Sequence, residues 1–422
     1  MRRKRGIINP ELKLNMRERF LRVFQYKEVD HVPDVEFGYW EDTLVRWHKE
    51  GLPEYVVDND TADKYFGFEA WYSYKVPVII PFREFEQKVF YEDDRVIIVR
   101  EPSGVICRKF KKGKGCSIPQ YIEFPVKDWD TWEEYKARYD LDGIRLPDNI
   151  DELKEKWKNR DYPLGVNAGG YFGWARGLMG LQTLLKTFYR DPDLIRDMFR
   201  FRTEMMLKAV SLALKVADID YAHWWEDMCY NKGPMLSPKL FKEFMVPEYK
   251  KITSYLKEHG VWLNILDSDG NINDLVPLWL EAGINCLFPL ERRAGVDPVE
   301  LREKYGKKLL LMGGIDKFAL IQGPKAIDQE LERIKDLVEE GGYIPHVDHR
   351  VPPDISYKNY LYYLERKRKL IGLTEIIYQC IRFSESAQRD TNTIYFHGFR
   401  LCERYSWNRR RKFACTHTHS FL

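Results

Sequence analysis

The stretch Val261-Trp262-Leu263-Asn264-Ile265-Leu266-Asp267-Ser268-Asp269-Gly270-Asn271 decides the fold. An apolar run passes into a polar turn, and the turn leads into the helix-like segment Asn273-Asp274-Leu275-Val276-Pro277-Leu278-Trp279-Leu280. Strand, turn and helix in that order form one unit of a parallel α/β protein, where ligands bind at the carboxyl ends of strands. Asp267 and Asp269 are two apart, so an extended backbone points both to one face. Two adjacent carboxylates repel each other, which suggests a cation, a shared proton or a polar ligand between them.

The pattern recurs downstream. Ile284 to Leu290 ends at Glu291, Leu309 to Met312 ends at Gly313-Gly314-Ile315-Asp316-Lys317, and Tyr343 to Val347 ends at Asp348-His349. The strand ends are spaced by about 25 to 35 residues, the size of a βα unit in a TIM-type barrel. Upstream, Asp30 to Trp40 reads as a strand ending in aromatics, and Tyr162 to Gly170 and Ile219 to Trp225 as two more, the last running into Glu226. These make seven strands. The eighth is expected between residues 60 and 160. Alternating runs such as Arg95 to Arg100 and Val105 to Phe110, either side of Pro102-Ser103-Gly104, predict a β-meander over 76–124 inserted into the barrel. Pro192 and Pro238, after Asp191 and Ser237, predict helix starts.

Net charge is +3 over 422 residues, but it is unevenly spread. Residues 1–20 carry +5 and residues 373–422 carry +4, which leaves −6 on the body. A nucleic-acid binder would carry its basic surface on the folded body, so that class is disfavoured. No apolar run approaches the roughly 20 residues that cross a bilayer. The seven cysteines are odd in number and form no CxxC pair, which predicts a reduced, cytoplasmic setting. The domain expectation is a basic extension over 1–11, a barrel over 12–372, and a C-terminal extension over 373–422 without sustained periodicity, expected to be disordered. Cys402, Cys415, His417 and His419 in that extension fit no standard zinc-finger spacing.

Five stretches, taken together, resemble the uroporphyrinogen decarboxylase superfamily. They are Arg17 to Phe24 with Val29-Asp30-His31-Val32-Pro33; Asp267 to Asn271; Gly313 to Lys317; Glu339 to Pro345; and Asp348-His349-Arg350-Val351-Pro352-Pro353-Asp354. The resemblance covers roughly residues 12–372 and implies one TIM-type barrel with its site at the carboxyl face. It also implies one of two chemistries. The decarboxylase grips porphyrinogen carboxylates with paired arginines near the first strand, where this chain has Phe37-Gly38-Tyr39-Trp40 and no arginine. The other branch comprises cobamide-dependent methyltransferases, whose thiol-activating members hold zinc through His-x-Cys and a later Cys. Those positions fall on Asp267, Asp269 and His349. The resemblance therefore favours methyl transfer from a small methoxy or N-methyl compound to a corrinoid supplied by a partner protein, with decarboxylation as the alternative. A non-catalytic ligand-binding barrel is a third reading.

The expected catalytic residues are Asp267, Asp269, His349 and Glu226. The first, second and third of these are also expected to hold a divalent metal such as zinc, since oxygen and imidazole ligands suit zinc, manganese or iron. Helix capping is the plain alternative for the two aspartates. Tyr39, Trp40, Asn167, Trp174, Trp225 and Glu291 are expected to contact substrate, the aromatics by stacking or cation–π attraction. Packing on the barrel rim is the alternative for the rings, Tyr171 and Trp224 included. His346 is expected to be structural.

Overall fold

The short apolar runs form short buried strands. Gly165–Gly169, Tyr221–Trp225, Asn264–Asp267, Cys286–Phe288, Leu310–Met312 and Tyr343–Ile344 lie side by side in chain order in one six-stranded parallel sheet. This computed structural model describes residues 6–69, 71–72, 74–111 and 119–373. Two less regular segments continue the sheet at its edges. Lys75 bridges Gly165 in parallel, with Val76 N–H donating to Gly165 O at 2.9 Å. Tyr39 bridges Val351, and Val351 N–H donates to Gly38 O at 2.9 Å. The two segments meet through Glu69 N–H on Asp34 O at 2.9 Å. Eight segments therefore follow one another around a TIM-type barrel. The second, around Lys75, lies in the region where the missing strand was expected. Both edge segments are bridged rather than laddered, so neither shows as a continuous strand.

Capping fixes the helices between strands. Asp191 accepts from Leu194 N–H ahead of the helix Pro192–Leu214, and Ser237 does the same for Leu240 ahead of Pro238–Phe244. The helix Tyr357–Leu370 lies behind the first and last strands and inserts Lys367 between Asp34 and Glu36. Strands Lys88–Glu92, Val96–Arg100, Ile106–Phe110 and Gln120–Glu123 form a separate antiparallel meander in sequential order, largely exposed on its outer strands.

Close backbone approach explains two glycines. A Cβ on Gly170 would lie 1.9 Å from Trp225 O, and one on Gly313 2.1 Å from Pro289 O. Gly313 thus serves contact between neighbouring loops. The chain also joins the body before residue 12. Ile7 is buried, its N–H donates to Glu339 O, and its carbonyl accepts from Val29 N–H. Residues 1–5 and 374–422, with Cys402, Cys415, His417 and His419, lie outside the described residues. Among the described residues no helix is long and apolar enough to cross a membrane.

Candidate functional site

In parallel neighbours, paired residues point the same way, so register reads out the barrel's interior layers. Trp225, Asp267 and Phe288 form one layer, and Asn167, His223, Ile265 and Cys286 the layer below. Phe37, Tyr72, His223, Phe288 and His346 meet ring to ring inside the barrel, with centroids 4.6–6.5 Å apart. The cleft opens above them at the carboxyl ends of the strands.

Three groups converge at its mouth. Asp269, Glu291 and His349 each offer one ligand atom, all within 4.8 Å of one another, and all are half-buried. His349 Nε2 lies 3.3 Å from Asp269 Oδ2. Glu291 Oε2 accepts from Gly270 N–H at 2.9 Å, and its other oxygen lies 3.4 Å from Lys317 Nζ. Among the described residues, Asp269 Oδ1 is buried with no hydrogen-bond partner. An unpartnered buried carboxylate oxygen beside a second carboxylate and an imidazole fits a divalent cation.

Asp267 is not part of that group. Its strand ends there, and Ser268 begins the turn, so the alternation that would align it with Asp269 stops one residue too early. Asp267 is 5% exposed and lies beside the Tyr72 hydroxyl. Burial raises its pKa well above the carboxylate range, the charges of Asp269 and Asp227 add to this, and Lys75 and Arg350 partly offset it. Asp227 is pushed to about 6 by burial and by Asp269. Glu291, expected to touch substrate, is the group that completes the triad.

Glu226 faces away from the cleft. It is fully buried and accepts from Tyr171 N–H at 2.7 Å, Gly173 N–H at 3.0 Å and the Tyr249 hydroxyl. It pins the start of the helix Phe172–Met179. Burial raises its pKa, against those donors.

The aromatics divide between the barrel mouth and the surrounding helices. Phe37 packs edge-on to His349 at 5.5 Å, and Trp40 stacks on it at 5.7 Å. Tyr39 points outward to the helices, its hydroxyl 2.7 Å from that of Tyr360. Trp174 packs against Trp132 and Arg202 in the helical layer. Trp224 faces outward and donates to Asn264 Oδ1 at 3.0 Å, while Trp225 is half-buried on the Asp267 layer. Tyr171 is buried against Phe199 and Tyr249. Asn167 is exposed on its strand, and its Oδ1 accepts from Gly169 N–H. His346 is buried among the interior rings, its Nδ1 2.8 Å from Val347 O, and burial lowers its pKa to about 3.

Sequence reasoning missed Tyr72, Lys75, Asp227, Lys317 and Arg350 as cleft residues. Arg350 directly follows His349 and was within reach. Lys75 was hidden by the lack of a strand period around it.

Against this geometry, known proteins give a consistent family. A family model described as uroporphyrinogen decarboxylase (URO-D) matches residues 101–370, more than half of the chain. A uroporphyrinogen decarboxylase of Rickettsia bellii is 20% identical over 251 residues, 56% of this chain and 69% of that protein. A methyltransferase from Methanosarcina mazei superposes with a TM-score of 0.54 at 18% identity, covering 85% of this chain and 99% of that one. The last likeness bears on the fold alone. A parallel barrel with its acidic mouth at the strand ends, matched along more than half its length by one family model, leaves one assignment: the chain belongs to the uroporphyrinogen decarboxylase family.

Proposed function

We propose that the protein is a methyltransferase that takes a methyl group from a small O- or N-methylated compound and passes it to a corrinoid held by a partner protein. The observation that carries this reading is the convergence of Asp269, Glu291 and His349 within 4.8 Å at the barrel mouth. Those three residues would hold a divalent cation, with zinc, manganese and iron all suited to the donor set. Such a cation supplies Lewis acidity where the methylated oxygen or nitrogen must leave.

The chain's own residues do the rest. Asp269 fixes the His349 ring through Nε2, and Trp40 stacks on its face. Phe37, Trp40 and Tyr72 wall the cleft with apolar surface that a small organic donor can cover. The Methanosarcina mazei methyltransferase, which shares the barrel, supports the reading at the level of fold.

The test is a panel of methoxylated and N-methylated donors with added cob(I)amide, followed by its absorbance, alongside metal analysis of protein purified without oxygen. Methylation of the cobamide that is lost in Asp269→Asn is expected. Decarboxylation is the second reading, favoured by the name of the Rickettsia bellii relative. Against it, the end of the first strand, Phe37-Gly38-Tyr39-Trp40, carries no arginine pair, and the cations standing near it, Arg350 and Lys75, are few for a substrate with many carboxylates. Conversion of uroporphyrinogen to coproporphyrinogen, with no cobamide methylation, would decide for it.

A further inference from the structure

Among the described residues, two side-chain cations in the cleft have no hydrogen-bond partner. The Arg350 guanidinium lies 5.8 Å from the centre of the Phe37 ring and 5.4 Å from that of Trp40. The Lys75 ammonium stands 4.0 Å from the centre of the Tyr72 ring. Among the described residues, neither has a carboxylate oxygen within 4.0 Å. Both are half-buried. Lys317, at the same mouth, differs: it lies 3.4 Å from Glu291 and 3.5 Å from Asp348.

Unused donors in a partly desolvated place cost free energy unless a ligand meets them. Asp267 does not neutralise these two at contact distance, since its neighbour is the Tyr72 hydroxyl. The Phe37 and Tyr72 rings over which they stand have centroids 6.3 Å apart, so both cations border the same part of the cleft. Burial pushes the Lys75 amine down to about 8, with only Asp267 opposing, which is the state of an ammonium short of a counter-ion. The guanidinium is a planar fork that matches a carboxylate through two parallel hydrogen bonds, and the ammonium adds a point charge. The rings of Phe37, Trp40 and Tyr72 exclude water and strengthen such a pairing.

We propose that Lys75 and Arg350 bind a carboxylate of the substrate, so that the cleft takes small methylated compounds that are also carboxylic acids. The methylated end of that description rests on the methyltransferase reading; the carboxylate end does not.

Binding therefore tests it without a methyl acceptor. 4-Methoxybenzoate and its neutral isostere 4-methoxybenzamide are titrated into the full chain by calorimetry near neutral pH. The acid is expected to bind about tenfold more tightly, the worth of one charge-assisted hydrogen bond. Arg350→Met and Lys75→Met should each remove most of that preference and leave amide binding unchanged. Arg350→Lys, which keeps the charge and loses the fork, should retain part of it and covers the case in which Arg350→Met fails to fold. Equal affinity for acid and amide, a preference that survives both methionine variants, or no binding of either compound at about millimolar concentration would overturn the proposal. Equally tight binding of 4-methoxybenzenesulfonate would also overturn it, in favour of a general anion site. A clear acid preference with no cobamide methylation would count against the methyltransferase reading alone.

Discussion

Along the first strand segment the same residue types are used in two opposite ways. On its outward face, Lys367 Nζ lies 2.9 Å from Asp34, 2.7 Å from Glu36 and 2.9 Å from Val35 O, and all three ionised side chains are buried. Arg368 adds a contact of 2.6 Å to Asp34, and the Tyr363 hydroxyl and Val347 N–H complete Glu36. Burial would raise Asp34, but Lys367 and Arg368 outweigh it and hold the carboxyl below its ordinary value. At the mouth, a few residues along, the acids Asp227, Asp267, Asp269 and Glu291 face Lys75, Arg350 and Lys317 with few direct pairings. There, burial and mutual repulsion win, and Asp227 and Asp267 are raised. Burial of charge is common to both places. Of these two places only the mouth holds unmatched charge, and that distinguishes a candidate site from a brace in the scaffold.

Removing a partner from the matched cluster should cost most. Lys367→Met leaves Glu36 without a cation and Asp34 with only Arg368, so a loss of about 3–5 kcal/mol in unfolding free energy is expected. Denaturant unfolding measures it. A loss below about 1 kcal/mol would mean that the cluster is not a brace and would erase the contrast.

Next comes the mouth itself. Asp269→Asn should lower donor turnover on the order of a hundredfold and remove bound divalent metal, while metal-free protein melts within about 2 °C of the parent. A large drop in the melting temperature of metal-free protein would place Asp269 with the scaffold. Glu226→Gln tests a residue between the two classes. One oxygen becomes an N–H₂ facing N–H and O–H donors, so about 2 kcal/mol of stability should go, with donor KM unchanged. A changed KM at unchanged stability would return Glu226 to the site.

Much of the barrel was legible because strand ends repeat at a regular interval and proline-marked helix starts sit between them. The first two segments were harder to read. They hold their places by single bridges at Tyr39 and Lys75 rather than by ladders, so no period marks them. The site was legible as a neighbourhood but not as a set of ligands. Asp267 and Asp269 share a face only if the strand continues, and it stops at Asp267. Glu291 reaches the triad because the chain turns back after Phe288, with Leu290 at φ 66°, and nothing in the local sequence announces that turn. Glu226 looked like a cleft acid because it follows a strand. Its orientation was set by the donors of Tyr171, Gly173 and Tyr249, which are distant in sequence.

The smallest effect expected is also the most direct measure of unmatched charge. The Lys75 amine stands at about 8 in the folded protein, against an ordinary 10.5. Between those values the unfolded chain binds a proton that the folded chain does not, so this residue makes stability rise with pH across that window. Below about pH 8 its full cost is present, and above about 10.5 it is gone. Lys75→Met removes the group from both states. The variant should therefore be more stable than the parent at pH 7, by on the order of 1 kcal/mol once solvent in the cleft is allowed for, and the gain should shrink toward zero as pH approaches about 10.5. Paired urea titrations at four or five pH values would show it. A difference that does not vary with pH would mean that Lys75 carries no uncompensated charge, and the mouth would then be as well matched as the cluster around Lys367.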